Sequence, residues 1–357
     1  MKSLFDVPFL PDPSYVELLV EHADELDCVH FSLLPDFRLD SRILLEDLKD
    51  SENYLEQLGR LQGVKKYALM NSRFYSPQLL SDQKNMQCIV NTLHDYLERE
   101  LITGVIYCDH YLLQYLSEEA PEIASSLEAV PGVNTMLDSF SKIDAHLSYI
   151  ELTNFKRPQK IILDRSLNRD LDSLAKVALQ VHTQFSDIRL EVLANEGCLP
   201  YCPFKLSHDS YIALANINGQ KSPFGFNDNL GCANLLYKEP HRIIFSPFIR
   251  PEDIELYYYH IDTIKLCGRS LGPAFLSRAF KAYSKRQYEG NLLDLLDATN
   301  WLADKLYIDN GSLSFDFANM LSQCDRRCEQ CGFCKELFEM IAQWQPLSIP
   351  DRRTATN

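Results

Sequence analysis

Short apolar runs alternate with amphipathic helical patterns along the first 290 residues. In the helical segment that begins at Ser14, Val16, Leu19, Ala23 and Leu26 recur at the spacing of one helix face. Nine apolar runs have the length and composition of strands: 4–10, 27–34, 65–72, 103–110, 129–137, 159–166, 188–195, 242–248 and 262–269. Repetition of strand, helix and strand predicts parallel strands joined by right-handed crossovers.

This alternation predicts a TIM-like (β/α) barrel rather than a doubly wound sheet, because no glycine-rich phosphate turn follows the first strand. Nine candidates exceed the eight strands of a closed barrel by one, so one run is an edge strand, a loop or part of a lid. Further helices are predicted at 82–100, 170–184, 252–260 and 273–288. Ser14 and Glu17 have the spacing of a capping box behind Pro13.

The alternation stops after about residue 290. A helical stretch, a turn at 309–311 and a group of cysteines follow. We therefore predict two parts: a barrel over residues 1–290 and a small helical, cysteine-rich appendage over residues 291–357.

Composition favours a globular protein, with 46% hydrophobic and 24% charged residues. No apolar run approaches the roughly 20 residues that a membrane-spanning helix needs, and the first residues lack the apolar core of a signal peptide. We expect a cytoplasmic location. Eleven cysteines without a secretory signal indicate metal or redox chemistry rather than a disulfide framework.

The formal net charge is −15, from 50 acidic and 35 basic residues. Such a charge repels phosphate backbones, which makes nucleic acid an unfavourable partner. A small molecule or a peptide is the expected substrate class.

The strongest motif is a run of four cysteines, Cys324, Cys328, Cys331 and Cys334, within eleven residues. Thiolates at this spacing converge on one soft metal centre, either zinc or an iron–sulfur cluster. A zinc knot that only pins the C-terminus is the simpler alternative. The first three cysteines also match the CxxxCxxC spacing of radical S-adenosylmethionine enzymes, but in those the motif follows the first barrel strand.

A second motif, Cys198 and Cys202, follows the predicted strand at 188–195. Loops at the carboxyl ends of barrel strands form the active site in this architecture, so both thiols are expected at the barrel mouth. Cys232 is a natural third ligand. The fourth ligand is left open between Cys267, a thiol of the C-terminal run and a substrate atom.

Polar residues at other strand ends are candidates for the chemistry. Glu196 neighbours Cys198 and suits a general base or a hydrogen-bond acceptor beside a metal. Lys265 and Arg269 follow the last predicted strand, where their charges suit a carboxylated co-substrate.

Three stretches resemble the collagenase-like peptidase family U32: residues 251–254, 264–269 and 281–283. Members carry a phrase close to EDL followed by LKIEGR and a helix with a tyrosine. The resemblance implies a barrel that holds a 4Fe-4S cluster on four cysteines and supports oxygen-independent hydroxylation of ubiquinone precursors or RNA bases.

The resemblance implies that Cys198 and Cys202 match the family's cysteine loop and Cys232 its more distal ligand. Lys265 and Arg269 match the charged pair of the last strand. Cys267 stands where the family has a glutamate, and the run from Cys324 to Cys334 lies outside the common pattern.

The sequence therefore predicts an iron–sulfur oxidoreductase with one or two 4Fe-4S clusters and an electron donor as partner. Zinc is the alternative occupant of the Cys324–Cys334 run. Two other hypotheses are a metal-dependent or cysteine peptidase, as the family name implies, and a non-catalytic partner protein stapled by zinc. No HExxH helix is present for the former.

Overall fold

The computed structural model describes residues 4–33, 39–42, 51–220 and 225–345. In this part of the chain, eight parallel strands form one sheet in the order β5-β4-β3-β2-β1-β8-β7-β6. Their bounds are β1 Leu4–Pro8, β2 Leu26–Ser32, β3 Lys65–Met70, β4 Gly104–Tyr107, β5 Glu128–Pro131, β6 Lys160–Ile162, β7 Arg189–Leu193 and β8 Thr263–Lys265. A parallel bridge between Glu128 and Lys156 brings the two edges together, so the barrel is nearly closed. The TIM-like prediction is confirmed.

Helices connect the strands. Their bounds are α1 Pro13–Glu21, α2 Ser51–Gly59, α3 Pro77–Ser81, α4 Gln83–Glu98, α5 His110–Glu119, α6 Pro121–Ala124, α7 Phe140–Glu151, α8 Leu171–Gln184, α9 Lys205–Ile217, α10 Phe226–Asn229, α11 Cys232–Lys238, α12 Ile254–Tyr257 and α13 Gly272–Lys285. In α8, Leu174, Val177, Ala178 and Val181 are buried, which is the apolar stripe that helical spacing predicts. None of the helices in the described ranges is long and apolar enough to cross a bilayer.

Two local predictions change. The run at 242–248 is not a strand, because Pro240 opens a 3₁₀ turn at Pro240–Ile243, and Ile243, Ile244 and Phe248 pack into a second hydrophobic cluster. The capping box at Ser14 is also wrong. Asp12 caps α1 by accepting a 2.9 Å hydrogen bond from the Tyr15 amide, and the Ser14 hydroxyl donates to Asp12.

The C-terminal part combines helices with a short sheet. Helices α14 Phe317–Ser322, α15 Cys328–Cys331 and α16 Phe333–Ile341 accompany two antiparallel strands, β9 Leu306–Ile308 and β10 Ala342–Trp344. The second hydrophobic cluster joins this part to residues 236–248. The division at residue 290 stays a prediction, and residues 346–357 lie outside the described ranges.

Candidate metal centre at the barrel mouth

A small cavity of about 80 Å³ opens where the strands end, with room for a few water molecules. The sequence-predicted residues Glu196, Lys265 and Arg269 all line this cavity, and so does Cys267. Glu196 lies in the loop after β7, Lys265 is the last residue of β8, and Arg269 lies in the loop after β8; the two strands are neighbours in the sheet. The structure therefore brings the predicted acid–base and cationic positions to one place.

Glu196 is held by an ion pair with Arg165, and both side chains are almost fully buried. Its main-chain carbonyl accepts a 2.7 Å hydrogen bond from the Ala298 amide. Two contacts thus fix the loop immediately before Cys198. A carboxylate in this position is oriented by its partner.

Lys265 belongs to a buried network of charges inside the barrel. Its ammonium group pairs with Asp6 and lies 3.4 Å from a carboxylate oxygen of Glu191. Lys160 approaches the same two carboxylates at 2.7 and 2.8 Å. Two ammonium groups therefore face two carboxyl groups in the barrel interior.

The two carboxyl groups of this network differ in acidity. Burial and the neighbouring charge of Asp6 raise the pKa of Glu191 to about 7. Burial opposes ionisation of Asp6 as well, but the ammonium groups of Lys160 and Lys265 hold its pKa well below the usual range. Asp6 is therefore the permanent anion of the network.

Asp6, Cys28 and Glu191 are the one group of three ligand-type side chains in the described residues whose donor atoms lie within 4.8 Å of one another. The ammonium nitrogen of Lys160 lies 2.7 Å from Asp6, 2.9 Å from the Cys28 sulfur and 2.8 Å from Glu191. Lys160 therefore occupies the position that a metal cation would take. We interpret this group as a buried salt-bridge network.

Arg269 reaches the cavity from the loop after β8. Its Nη2 atom lies 3.0 Å from Asp40, whose carboxylate also accepts a 2.7 Å hydrogen bond from Ser32. Its Nη1 atom is buried and has no hydrogen-bond partner among the described residues. Arg269 thus retains an unused donor at the cavity.

Gly268 explains how this loop turns. Its φ is +118°, and a Cβ atom there would lie 2.1 Å from the Phe275 ring. We expect Gly268→Ala to lower the free energy of unfolding by about 1–3 kcal/mol more than Gly219→Ala, because overpacking adds to backbone strain. Gly219 has a φ of +64° but open space around its Cβ position. Urea unfolding of both variants tests this, and equal losses would contradict the predicted clash.

His30 also lines the cavity, and its position was not predicted from the sequence. The ring Nδ1 lies 2.6 Å from an Asp6 carboxylate oxygen. The same Nδ1 atom lies 3.1 Å from the Lys265 ammonium nitrogen, which can only donate a hydrogen bond, whereas the carboxylate can only accept one. Burial and the charge of Lys265 lower the pKa of His30 to about 4, so the ring is neutral at pH 7.

The lowered pKa of His30 predicts a stability loss in acid. Between the reference pKa of 6.5 and the folded pKa of about 4, the unfolded state binds more protons than the folded state. The free energy of unfolding contributed by His30 therefore falls as the pH drops through this window, by up to about 3 kcal/mol. His30→Asn should remove this component, whereas His94→Asn, on an exposed helix face, should retain it. Urea unfolding at several pH values measures it, and identical pH profiles for wild type and His30→Asn would contradict it.

Asn195 anchors the cysteine loop to the last strand. Its side-chain amide donates 3.0 Å hydrogen bonds to the carbonyls of Cys267 and Leu295, and its carbonyl oxygen accepts a 2.7 Å bond from the Cys267 amide. Gly197 follows with a φ of +76° and allows the sharp turn into Cys198. The segment around Cys198 is therefore tied to the segment around Cys267.

Cys198, Cys202 and Cys232 come together from the loop after β7 and the start of α11. A hydrogen bond from the Cys232 thiol, with further help from neighbouring cations, lowers the pKa of Cys202 to about 6, and the pKa of Cys232 rises in return. Cys198 is half-buried and lies within electrostatic range of both thiols and of Cys267. The structure thus brings the three predicted ligands together and places Cys267 beside them. None of these thiols is in a disulfide.

Three cations surround these thiols, and each has its own carboxylate partner. Arg165 pairs with Glu196, Lys205 pairs with Asp209, and Arg42 donates a 2.8 Å hydrogen bond to Asp297. Burial raises the pKa of Cys198, and all three positive charges act in the opposite direction by lowering it. The barrel mouth therefore carries paired positive and negative charges rather than a uniformly positive surface.

The second cysteine group is Cys324, Cys328, Cys331 and Cys334. Cys324 lies in the loop after α14, Cys328 and Cys331 lie in α15, and Cys334 lies in the first turn of α16. Burial and the charges of the other three thiols raise the pKa of Cys334 to about 11. Cys328 and Cys331 are exposed, and the other two are half-buried. The four thiols form a group of their own on the surface.

Several residues at the site were not predicted: Asp6, His30, Asp40, Arg42, Lys160, Glu191, Lys205 and Asp297. A partial signal existed for those on strands. Asp6, Lys160 and Glu191 are charged residues within apolar runs predicted to be buried on both faces. A buried charge requires a partner, so such residues point to one another.

Comparison with known proteins gives one close sequence relative. The chain is 30% identical over 295 residues to an uncharacterized protease of Methanocaldococcus jannaschii, which covers 82% of this chain and 81% of that protein. A solved structure of a U32 peptidase aligns with a TM-score of 0.48 and 14% identity over 74% of this chain and 92% of that one. No protein-family profile matches the chain.

The match to the sequence relative covers 295 residues and more than four fifths of both chains. The chain belongs to the U32 peptidase family.

Proposed function

We propose that this protein is an iron–sulfur oxidoreductase that modifies a small molecule or a peptide at the barrel mouth. Cys198, Cys202, Cys232 and Cys267 would hold a 4Fe-4S cluster, and a separate donor would supply electrons. The observation that carries the proposal is the convergence of thiols from three distant chain segments beside one cavity. A cluster bound there supplies one-electron redox chemistry at the edge of the cavity.

The donor set fits such a cluster. Four thiols are available from the loop after β7, the start of α11 and the segment after β8. A 4Fe-4S cluster takes one thiolate on each of its four irons.

The surrounding residues suit a charged cofactor. The cations Arg42, Arg165 and Lys205 offset the negative charge of four thiolates, and their carboxylate partners hold them in place. Hydrogen bonds and nearby charge are the means by which a protein tunes the potential of such a group.

The cavity beside the thiols provides contacts for a polar substrate group. Arg269 offers its unpaired Nη1 as a donor, and the neutral His30 ring lines the same cavity. Glu196, fixed by Arg165, is positioned to accept a proton at its carboxylate. The net charge of −15 supports a small molecule or a peptide over nucleic acid as the substrate.

The name of the sequence relative suggests a peptidase, and this function has less support from the structure than the proposed redox function. Among the described residues, no histidine ring is hydrogen-bonded to a serine or cysteine side chain. A cysteine or serine peptidase requires such a pair to activate its nucleophile.

Anaerobic purification tests the proposal. We expect a brown protein with iron and sulfide, a broad visible absorbance that dithionite bleaches, and an electron paramagnetic resonance signal after reduction. A colourless folded protein that contains zinc and no iron after anaerobic reconstitution would contradict it. The matched control is Cys88→Ser, because Cys88 is a free thiol on helix α4, away from the mouth. This variant should keep its colour.

A further inference from the structure

The C-terminal cysteines are arranged around a tight turn. Cys328 and Cys331 occupy the two ends of α15, and Gly332, with a φ of +67°, ends this short helix and directs Cys334 back towards it. The Arg326 amide lies 3.4 Å from the Cys324 sulfur and donates a hydrogen bond to it. Amide hydrogen bonds of this kind stabilise sulfurs that carry negative charge.

Two of these thiols have no packing role. Cys328 and Cys331 are exposed, so they contribute little apolar burial, whereas Cys334 packs against the second hydrophobic cluster. All four thiols are free of disulfides. Four unbonded thiols that affect one another electrostatically are the arrangement expected of a metal site.

The order of the cysteines along the chain favours an iron–sulfur cluster over zinc. C-x3-C-x2-C-x2-C contains the closely repeated spacings that are typical of 4Fe-4S sites. Zinc sites typically place two close pairs of ligands far apart in the chain.

One side-chain contact joins this group to the mouth. Arg326 lies between Cys324 and Cys328, and its Nη2 donates a 2.8 Å hydrogen bond to the hydroxyl of Tyr201, which precedes Cys202. The guanidinium group also lies 4.1 Å from the centre of the Tyr201 ring. Leu199, in the mouth loop, and Cys334 both pack against the second hydrophobic cluster.

We propose that Cys324, Cys328, Cys331 and Cys334 bind a second iron–sulfur cluster, and that Arg326 links this centre to the mouth loop through Tyr201. A cluster bound by the C-terminal thiols fixes the loop that carries Arg326. Arg326 then restrains Tyr201, and through it the chain segment that presents Cys202. This second centre is separate from the mouth cluster of the proposed function.

Metal analysis of a variant that lacks the mouth ligands tests the second centre. The triple variant Cys198→Ser, Cys202→Ser, Cys232→Ser is expected to retain about four irons and four sulfides after anaerobic reconstitution. A folded variant with no iron, or with one zinc in place of iron, would overturn the inference. Neither result bears on the mouth cluster, which is counted separately in a variant that lacks Cys328 and Cys331.

The link to the mouth is tested by the rate at which the mouth cluster is lost. We make two single variants, Arg326→Ala and Arg327→Ala, each in two backgrounds. One background is the full-length wild type, and the other is the double variant Cys328→Ser, Cys331→Ser, which lacks the second centre. Arg327 is the exposed neighbour, whose side chain approaches Asp325 at 3.7 Å. In the wild-type background, Arg326→Ala should speed the chelator-induced loss of visible absorbance several-fold, and Arg327→Ala should not. In the background without the second centre, both should behave alike. Equal rates for the two variants in the wild-type background would overturn the proposed link.

Discussion

Replacing Lys160 with methionine is expected to lower the free energy of unfolding by about 3–5 kcal/mol. The Lys160 ammonium is fully buried and contacts Asp6, Glu191 and the Cys28 sulfur at 2.7–2.9 Å. Its removal leaves two buried carboxyl groups with Lys265 as their remaining ammonium partner. Urea unfolding measures the loss.

The matched control is Lys142→Met. Lys142 pairs with Asp138 at 2.8 Å on the surface, with nearly half of its side chain exposed, so its replacement should cost less than about 1 kcal/mol. Adding Glu191→Gln to Lys160→Met should recover part of the loss, because it removes one of the two carboxyl groups that then share Lys265. Equal losses for Lys160→Met and Lys142→Met would contradict the account of the barrel interior.

Single replacement of a mouth cysteine by serine is expected to remove about four irons from the reconstituted protein. The expectation holds for Cys202→Ser and Cys232→Ser, whose thiols share a hydrogen bond, and for Cys267→Ser as the fourth ligand. A cubane that loses one of four protein ligands is weakly held and is lost to a chelator.

Iron and sulfide counts, made anaerobically beside Cys88→Ser, measure this effect. Full iron content in Cys267→Ser would assign the fourth position to something other than Cys267. Full iron content in Cys202→Ser would contradict a mouth cluster altogether.

The fold was largely predictable because parallel strands buried on both faces are continuous apolar runs. Eight of the nine runs are strands, and the exception at 242–248 has the same composition but is opened by Pro240 and buried in a different cluster. Local sequence does not distinguish a buried strand from a buried turn when both are apolar. The cap of α1 was misplaced by two residues, because Asp12 and Ser14 are both good caps and tertiary geometry selected Asp12.

The candidate site was predictable only where residues are close in sequence. Cys198 and Cys202, and the run from Cys324 to Cys334, are visible as motifs. The contact of Cys232 with Cys202 and the ion pairs of Arg42, Arg165 and Lys205 join segments far apart in the chain. Lys265 was expected to face a co-substrate, but its ammonium group pairs with Asp6 and Glu191 inside the barrel. Such partners become evident only when the barrel brings the strand ends together.

The most direct test is the iron and sulfide content of the variant Cys328→Ser, Cys331→Ser, purified and reconstituted without oxygen. In this variant the mouth thiols are the remaining complete set of four. We predict about four irons and four sulfides per chain, with a visible absorbance that dithionite bleaches. A folded variant that holds no iron would contradict the assignment of a cluster to Cys198, Cys202, Cys232 and Cys267.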